Sequence, residues 1–382
     1  MRRWAGEFGA ARWTAVLAGT ALLAGCSGSP AQSGPVQVSR SACGDGWTAP
    51  PAGPQTLQVR NNAAVTMEID LVDPATGTVF GELEGVGPGT TRALPVNLGN
   101  GAYALRCAPE DGTPFVGPAV QVTGGADRPG PAVVPVTNAD LLRPLKQYHG
   151  YVADGLGTLT GQTAALAQAV RSGNRGAAQQ AWLTAHLTYE RLGAAYDAFG
   201  DSDGAINGTT AGLPDGAADP GFTGFHRLEN GLWHNESMPA LAPVADQLDQ
   251  AVQKLRSSFA DAQIDQNDLG LRAHEIMENT LQFELTGRTD YGSGSNLATA
   301  GANLTGTRAV LDVLRPLLTT RFPGLKDLDA WIARTDRDLH AVAGKPLSAL
   351  DRQQRQRINA DVAELTERLA PVAAIAEPRR VS

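Results

Sequence analysis

A stretch loaded with Gly124, Gly125, Pro129, Gly130, Pro131 and Pro135 divides the chain into two segments whose hydrophobic periods cannot belong to one fold. Before it, in residues 35–122, helix formers are scarce and Gly, Pro, Val and Thr abound. Apolar and polar residues alternate at 56–60, 65–72, 103–107 and 119–122, as they do when successive side chains point to opposite faces of a strand. Asn61-Asn62, Asp73-Pro74, Gly87-Pro88-Gly89 and Gly99-Asn100-Gly101 supply turns between these runs. About ninety residues of this texture predict a small all-β sandwich over residues 36–123.

Beyond the linker, assigned to residues 124–137, the period changes. Leu141, Leu142, Leu145, Tyr148, Val152, Leu156, Leu159, Leu166 and Val170 recur at helical spacing. Further helices are predicted at 175–199, 239–260, 267–286, 296–319, 325–341 and 348–373, punctuated by Asn174, Gly200, Asp265, Gly287 and Pro323-Gly324. Short loops make consecutive helices antiparallel, so residues 138–376 predict an all-α bundle of about seven helices. The expected fold class is therefore multidomain, an all-β sandwich followed by an antiparallel helical bundle.

The start of the chain reads as a processed leader. Met1-Arg2-Arg3 and Arg12 precede an apolar run at 13–25 that is too short to span a bilayer as a helix. It ends in Leu23-Ala24-Gly25-Cys26, which resembles a bacterial lipobox. Residues 1–25 would then be a signal peptide, Cys26 the lipidated first residue, and 26–35 a tether holding the protein outside the cell membrane. The other two cysteines, Cys43 and Cys107, form a disulfide in an oxidising compartment or else contribute to a soft metal site. With 39 acidic against 31 basic residues, the net charge of −8 disfavours a nucleic-acid partner and favours cations.

Candidate chemistry centres on Gly224-Phe225-His226-Arg227-Leu228-Glu229. Pro220, a Thr223 cap, the apolar residues Phe222, Phe225, Leu228, Leu232 and Trp233, and the Pro239 break predict a short helix here. Three-residue spacing puts His226 and Glu229 on one face, where they can hold one ion. On the 175–199 helix, Trp182, His186, Tyr189, Glu190, Gly193 and Tyr196 share an aromatic face with an embedded carboxylate. Glu190, with His186 one turn earlier, either points toward the same ion or pairs with a surface charge. His274 and Glu278, with Glu275 between them, form a second one-face cluster. Asp197, Asp201 and Asp203 read as turn chemistry. No His-Glu-x-x-His, Gly-x-Ser-x-Gly or phosphate-binding glycine motif occurs. Oxygen donors with imidazole suit iron, manganese or calcium better than a structural zinc.

Taken together, the lipobox, the β domain, the Gly/Pro linker, the Phe222–Glu229 motif and the stretch from Tyr189-Glu190-Arg191 to Asp203-Gly204 resemble the EfeO family of iron-uptake lipoproteins. The resemblance implies a cupredoxin-like β domain and an imelysin-type helical domain. It implies iron (Fe3+ or Fe2+) bound by His226, Glu229 and Glu190, and partnership with an iron permease and a haem-dependent peroxidase. Cys43 and Cys107 match family positions, which leaves room for a second metal such as copper in the β domain, with Glu68 and Asp70 as further donors. The chain also departs from the family pattern. Thr188 stands where a histidine usually precedes Tyr-Glu, and Asn296 stands where an aspartate ligand is expected before Ala302-Asn303. His274 or Glu278 is the expected substitute. The expected function is a non-enzymatic, lipid-anchored iron-capture component delivering iron to a permease. The alternatives are an imelysin-type metallopeptidase, which would need an open metal position and a base beside its water, and a surface polysaccharide-binding or adhesion protein.

Overall fold

Alternation before the linker becomes two sheets, and helical periodicity after it becomes ten helices, in a computed structural model that describes residues 34–48, 50–128, 133–342 and 344–379. The leader, Cys26, tether residues up to 33 and linker residues 129–132 lie outside the described residues. The strands are β1 (Val36–Val38), β2 (Cys43–Asp45), β3 (Gly53–Asn61), β4 (Met67–Val72), β5 (Val79–Val86), β6 (Thr91–Leu98), β7 (Gly101–Pro109), β8 (Phe115–Val116) and β9 (Val120–Val122). One sheet runs β2-β1-β3-β6 and the other β5-β4-β7-β8, with β9 paired to the start of β7. β1 runs parallel to β3, and the remaining pairs are antiparallel. Leu57, Val59, Ile69, Leu71, Leu94, Tyr103 and Leu105 fill the core of this region. A disulfide joins Cys43 on β2 to Cys107 on β7 and so ties one sheet to the other. It leaves no thiolate for a soft metal ion.

The helices are α1 (Asn138–Arg171), α2 (Arg175–Glu190), α3 (Tyr196–Phe199), α4 (Asp201–Asn207), α5 (Gly224–Trp233), α6 (Met238–Phe259), α7 (Asp268–Asn279), α8 (Asn296–Arg321), α9 (Leu325–Ala341) and α10 (Arg352–Ala376). Reciprocal capping boxes start α1 at Thr137/Asp140 and α10 at Asp351/Gln354. The long helices α1, α2, α6, α7, α8 and α10 bury one apolar face each around Tyr148, Trp182, Tyr189, Phe225 and Phe259. None of the described helices is long and apolar enough to cross a membrane.

The two predicted helices nearest the candidate residues are broken. The helix expected at 175–199 ends at Glu190, where a tighter turn at Gly193–Ala195 follows, and Gly200 at φ +53° then separates α3 from α4. The Asp201–Asp203 run then opens α4 instead of serving as a loop. The helix expected at 267–286 is α-helical only to Asn279 and continues as a π-helical turn, Thr280–Glu284, with Leu285 N donating to Thr280 O at 2.9 Å. Single π turns are often found at functional sites.

At the boundary between the regions, the segment after α10 returns to the linker. Val136 bridges Pro378, Arg379 N donates to Val136 O at 2.7 Å, and the Arg379 guanidinium pairs with Glu82 of β5 at 2.9 Å.

Candidate metal centre

Gly224 begins α5 at φ +74°, and a β-carbon there would lie 2.1 Å from Ile206 O in the last turn of α4. Only glycine lets the two helix ends approach this closely. Trp182 on α2 fixes the same turn by donating from Nε1 to Phe225 O at 2.8 Å. The result places His226 and Glu229, both almost fully buried, against α2. His226 Nδ1 lies 3.3 Å from Glu229 Oε2. Glu229 Oε1 accepts from Tyr291 N at 3.1 Å, Ser293 N at 3.0 Å and Ser293 Oγ at 2.5 Å, so the loop before α8 clamps this carboxylate.

The α2 side mirrors this arrangement. His186 Nε2 is 3.2 Å from Glu190 Oε1, and the His186 ring stacks on Trp182 and meets the His226 ring edge-on at a centroid distance of 5.4 Å. The other ring nitrogen of His186, Nδ1, is buried without a hydrogen bond. Asn207 Nδ2 donates to Glu190 Oε1 at 2.9 Å. With its amide turned so that Oδ1 accepts from Thr280 Oγ1 at 3.0 Å, Asn303 donates to Glu190 Oε2 at 3.0 Å.

Glu190 and His226 border a cavity of about 640 Å3 that Asp203, Glu284, Tyr291 and Asn303 also line. Burial opposes ionisation of Glu190 and Glu229, but the neighbouring histidines outweigh it and hold both carboxyls below their ordinary range. Burial likewise opposes the charged form of His186, yet Glu190 beside it raises its pKa. Glu284 goes the other way. Burial first, and repulsion from Glu190 second, push it up to about 7, although Thr289 and Asn296 donate to it. Asp203 is also raised by burial, while Tyr189 Oη donates to it.

Of the residues the sequence singles out, His186, Glu190, His226 and Glu229 come together here. His274 and Glu278 do not. His274 Nδ1 pairs with Thr366 O of α10 at 3.0 Å, and Glu278 is half-buried, accepting from Gln282 at 3.0 Å. The reason is helical phase: α7 turns Ile276 and Asn279 to the cavity, which sends positions 274 and 278 elsewhere. Asp203, read as turn chemistry, lines the cavity. Glu284 and Tyr291 were not read at all, and the irregular backbone around them removes the periodic signal that could have found them.

Residues 144–372, from α1 to α10, match the imelysin family. The chain belongs to the imelysin family. His186, Glu190, His226, Glu229 and Glu284 all lie inside the imelysin segment. The Iron uptake system component EfeO of Yersinia pestis is 30% identical over 281 residues, 73% of either chain. Its counterpart from Yersinia pseudotuberculosis is 29% identical over the same length, and that of Escherichia coli O1:K1 is 26% identical over 324 residues, 78% of this chain and 83% of the relative.

Outside the imelysin segment, one other group draws notice. Glu68, Asp70 and Glu82 place one carboxylate oxygen each within 4.8 Å of one another, closer than any other such trio among the described residues. Strand register explains it: Asp70 on β4 sits opposite Glu82 on β5 and Arg106 on β7. Arg106 pairs with Asp70 and with Glu68, and Arg379 pairs with Glu82, so two guanidinium groups already offset this acidic charge.

Proposed function

We propose that this imelysin protein is the extracytoplasmic iron-binding component of an iron-uptake system, with His186, Glu190, His226 and Glu229 as its ion-binding residues. The observation that carries the reading is that two buried histidine–carboxylate pairs meet where His226 and Glu190 line one cavity, with His186 Nδ1 left without a hydrogen-bond partner. A buried imidazole nitrogen without a partner is costly unless something fills it, and a metal ion is what neutral imidazole with carboxylate binds. The relatives' shared name, Iron uptake system component EfeO, supports iron as the cargo. The Cys26 lipobox supports a lipid anchor on the cell membrane. In this reading the captured ion passes to an iron permease, with a haem-dependent peroxidase as the third component.

Peptide hydrolysis fits less well. In the His-x-x-Glu pair, the carboxylate that a metallopeptidase would use to activate water is engaged: Glu229 accepts from three donors at one oxygen and faces His226 with the other. The test is iron titration of the protein lacking residues 1–25, wild type beside His226→Ala and Glu229→Ala. Micromolar or tighter binding that either substitution abolishes is expected, and a wild type that binds no iron would refute the proposal.

A further inference from the structure

We propose that Glu284 is a further ligand of the captured ion, facing Glu190 and His226 across the cavity, and that its charge selects a trivalent over a divalent cation. The inference rests on the iron-binding reading above and deepens it by naming a residue and an ion class.

Glu284 is 8% exposed and lines the same cavity as Glu190 and His226. Glu190 and Glu229 each have a histidine alongside, but among the described residues Glu284 has no ion-pair partner. Its two contacts are neutral donors: Thr289 Oγ1 to Oε1 at 2.6 Å and Asn296 Nδ2 to Oε2 at 2.9 Å. A carboxylate oxygen has two acceptor sites, so each oxygen keeps one for the cavity. Burying a carboxylate without a counter-charge is expensive, and a cation in the cavity is the compensation the geometry leaves open.

Asn296 explains why the carboxylate sits at 284. An aspartate at 296 would set two buried carboxylates at hydrogen-bonding distance from each other, where both could not ionise together. The amide instead donates to Glu284 and orients it. The chain thus keeps a carboxylate at this edge of the cavity but carries it on the π turn after α7 rather than at the start of α8. Charge sets the ion class: Asp203 is engaged by the Tyr189 hydroxyl, so Glu284 joins Glu190 and Glu229 as the third carboxylate offered to the ion, and three such charges neutralise a trivalent ion bound by neutral imidazoles.

The leaderless protein is titrated with Ga3+, supplied as its nitrilotriacetate complex as a redox-inert trivalent probe, and with Mn2+. Glu284→Gln should weaken Ga3+ binding by about 100-fold or more, beyond what a residue that merely orients a ligand costs. It should weaken Mn2+ binding by about 10-fold or less. The double variant Glu284→Gln/Asn296→Asp, which moves the carboxylate across the hydrogen bond, should recover part of the Ga3+ affinity. Glu284→Gln should melt no lower than wild type, which separates a ligand effect from loss of fold. If Glu284→Gln binds Ga3+ like wild type while His226→Ala does not, the role of Glu284 is overturned and the iron-binding reading stands. Equal losses for both ions would overturn the trivalent selection. If His226→Ala also binds like wild type, the iron-binding reading itself fails.

Discussion

Gly224→Ala tests how the Gly-Phe-His-x-x-Glu motif builds its site. At φ +74° an alanine pays the left-handed penalty of about 1–2 kcal/mol. Its β-carbon would also lie 2.1 Å from Ile206 O, 2.5 Å from Ile206 C and 2.8 Å from Ala205 O, where ordinary contact begins near 3.4 Å. All three atoms are backbone, so no rotamer change relieves the clash; the start of α5 must withdraw from the end of α4 by roughly 1 Å, with an overpacking cost of about 1–3 kcal/mol. The expected loss of stability is therefore about 2–5 kcal/mol, read by urea unfolding of the helical region. Withdrawal also matters to the site, because α5 carries His226 and Glu229 while Asn207 at the end of α4 holds Glu190. Ligand groups tolerate misplacement of only about 0.5 Å, so iron affinity of the folded variant should drop about 10- to 100-fold. Gly204→Ala is the control: it lies in α4 with open space around it and an ordinary φ, and alanine there should be neutral or stabilising by up to about 1 kcal/mol. Gly224→Ala within about 0.5 kcal/mol of wild type, the ordinary scatter of surface substitutions, and with unchanged affinity, would refute this account of the motif.

Three other outcomes are expected. Replacing both Cys43 and Cys107 by serine opens a loop of 64 residues and should cost the β region about 4 kcal/mol on loop-entropy grounds, lowering its melting temperature while leaving iron titration of the helical site unchanged. Glu68 is pushed up to about 7 by burial and then by Asp70, so the folded state holds a proton there that the unfolded chain releases above about 4.5. Its contribution to stability therefore falls as pH rises from about 4.5 to 7, and Glu68→Gln should melt above wild type at pH 8 but not at pH 4 in calorimetric scans. Arg379→Ala removes the guanidinium from Glu82 and should raise amide exchange at residues 136 and 379 by loosening the bridge between linker and C-terminal segment.

Periodicity carried the architecture. The helices of 138–171, 296–321 and 325–341 lie within two residues of where their apolar spacing puts them, because each buries a continuous stripe. Strands were less legible where pattern and length fail. β1 and β2 have three residues each and β8 has two, too few to show a period, while β6 alternates buried Leu94, Val96 and Leu98 with exposed residues but carries Pro95, which argues against a strand. Of the site, His226 and Glu229 were legible as a pair on one short helix, and His186 and Glu190 as a pair on another. What joins them was not, since convergence depends on long-range packing of α2 on α5. The substitution at Asn296 was visible, but its partner was sought on the wrong face of α7.

That error is instructive about where this site lives. A regular α-helix continued through 286 would keep the phase set by Ile276 and Asn279, and positions 274 and 278 would be judged against that phase alone. The chain instead inserts the π turn Thr280–Glu284, which shifts the phase of every residue after it. Thr280 also joins the site, since its hydroxyl meets the Asn303 amide that holds Glu190. On the opposite wall, the left-handed Gly224 sets the entry of α5, again a departure from regular backbone. Regular periods can specify a bundle, but they leave its interior apolar. Bringing three carboxylates and an imidazole to one cavity requires local breaks that a period-based reading treats as noise, and such breaks persist only where the surrounding packing holds them. The positions where helical spacing failed in this chain, 191–207 and 280–293, are the segments that supply Asn207, Glu284 and the loop clamping Glu229. A break in period between well-formed helices of this imelysin domain is therefore itself a pointer to the residues that line its cavity.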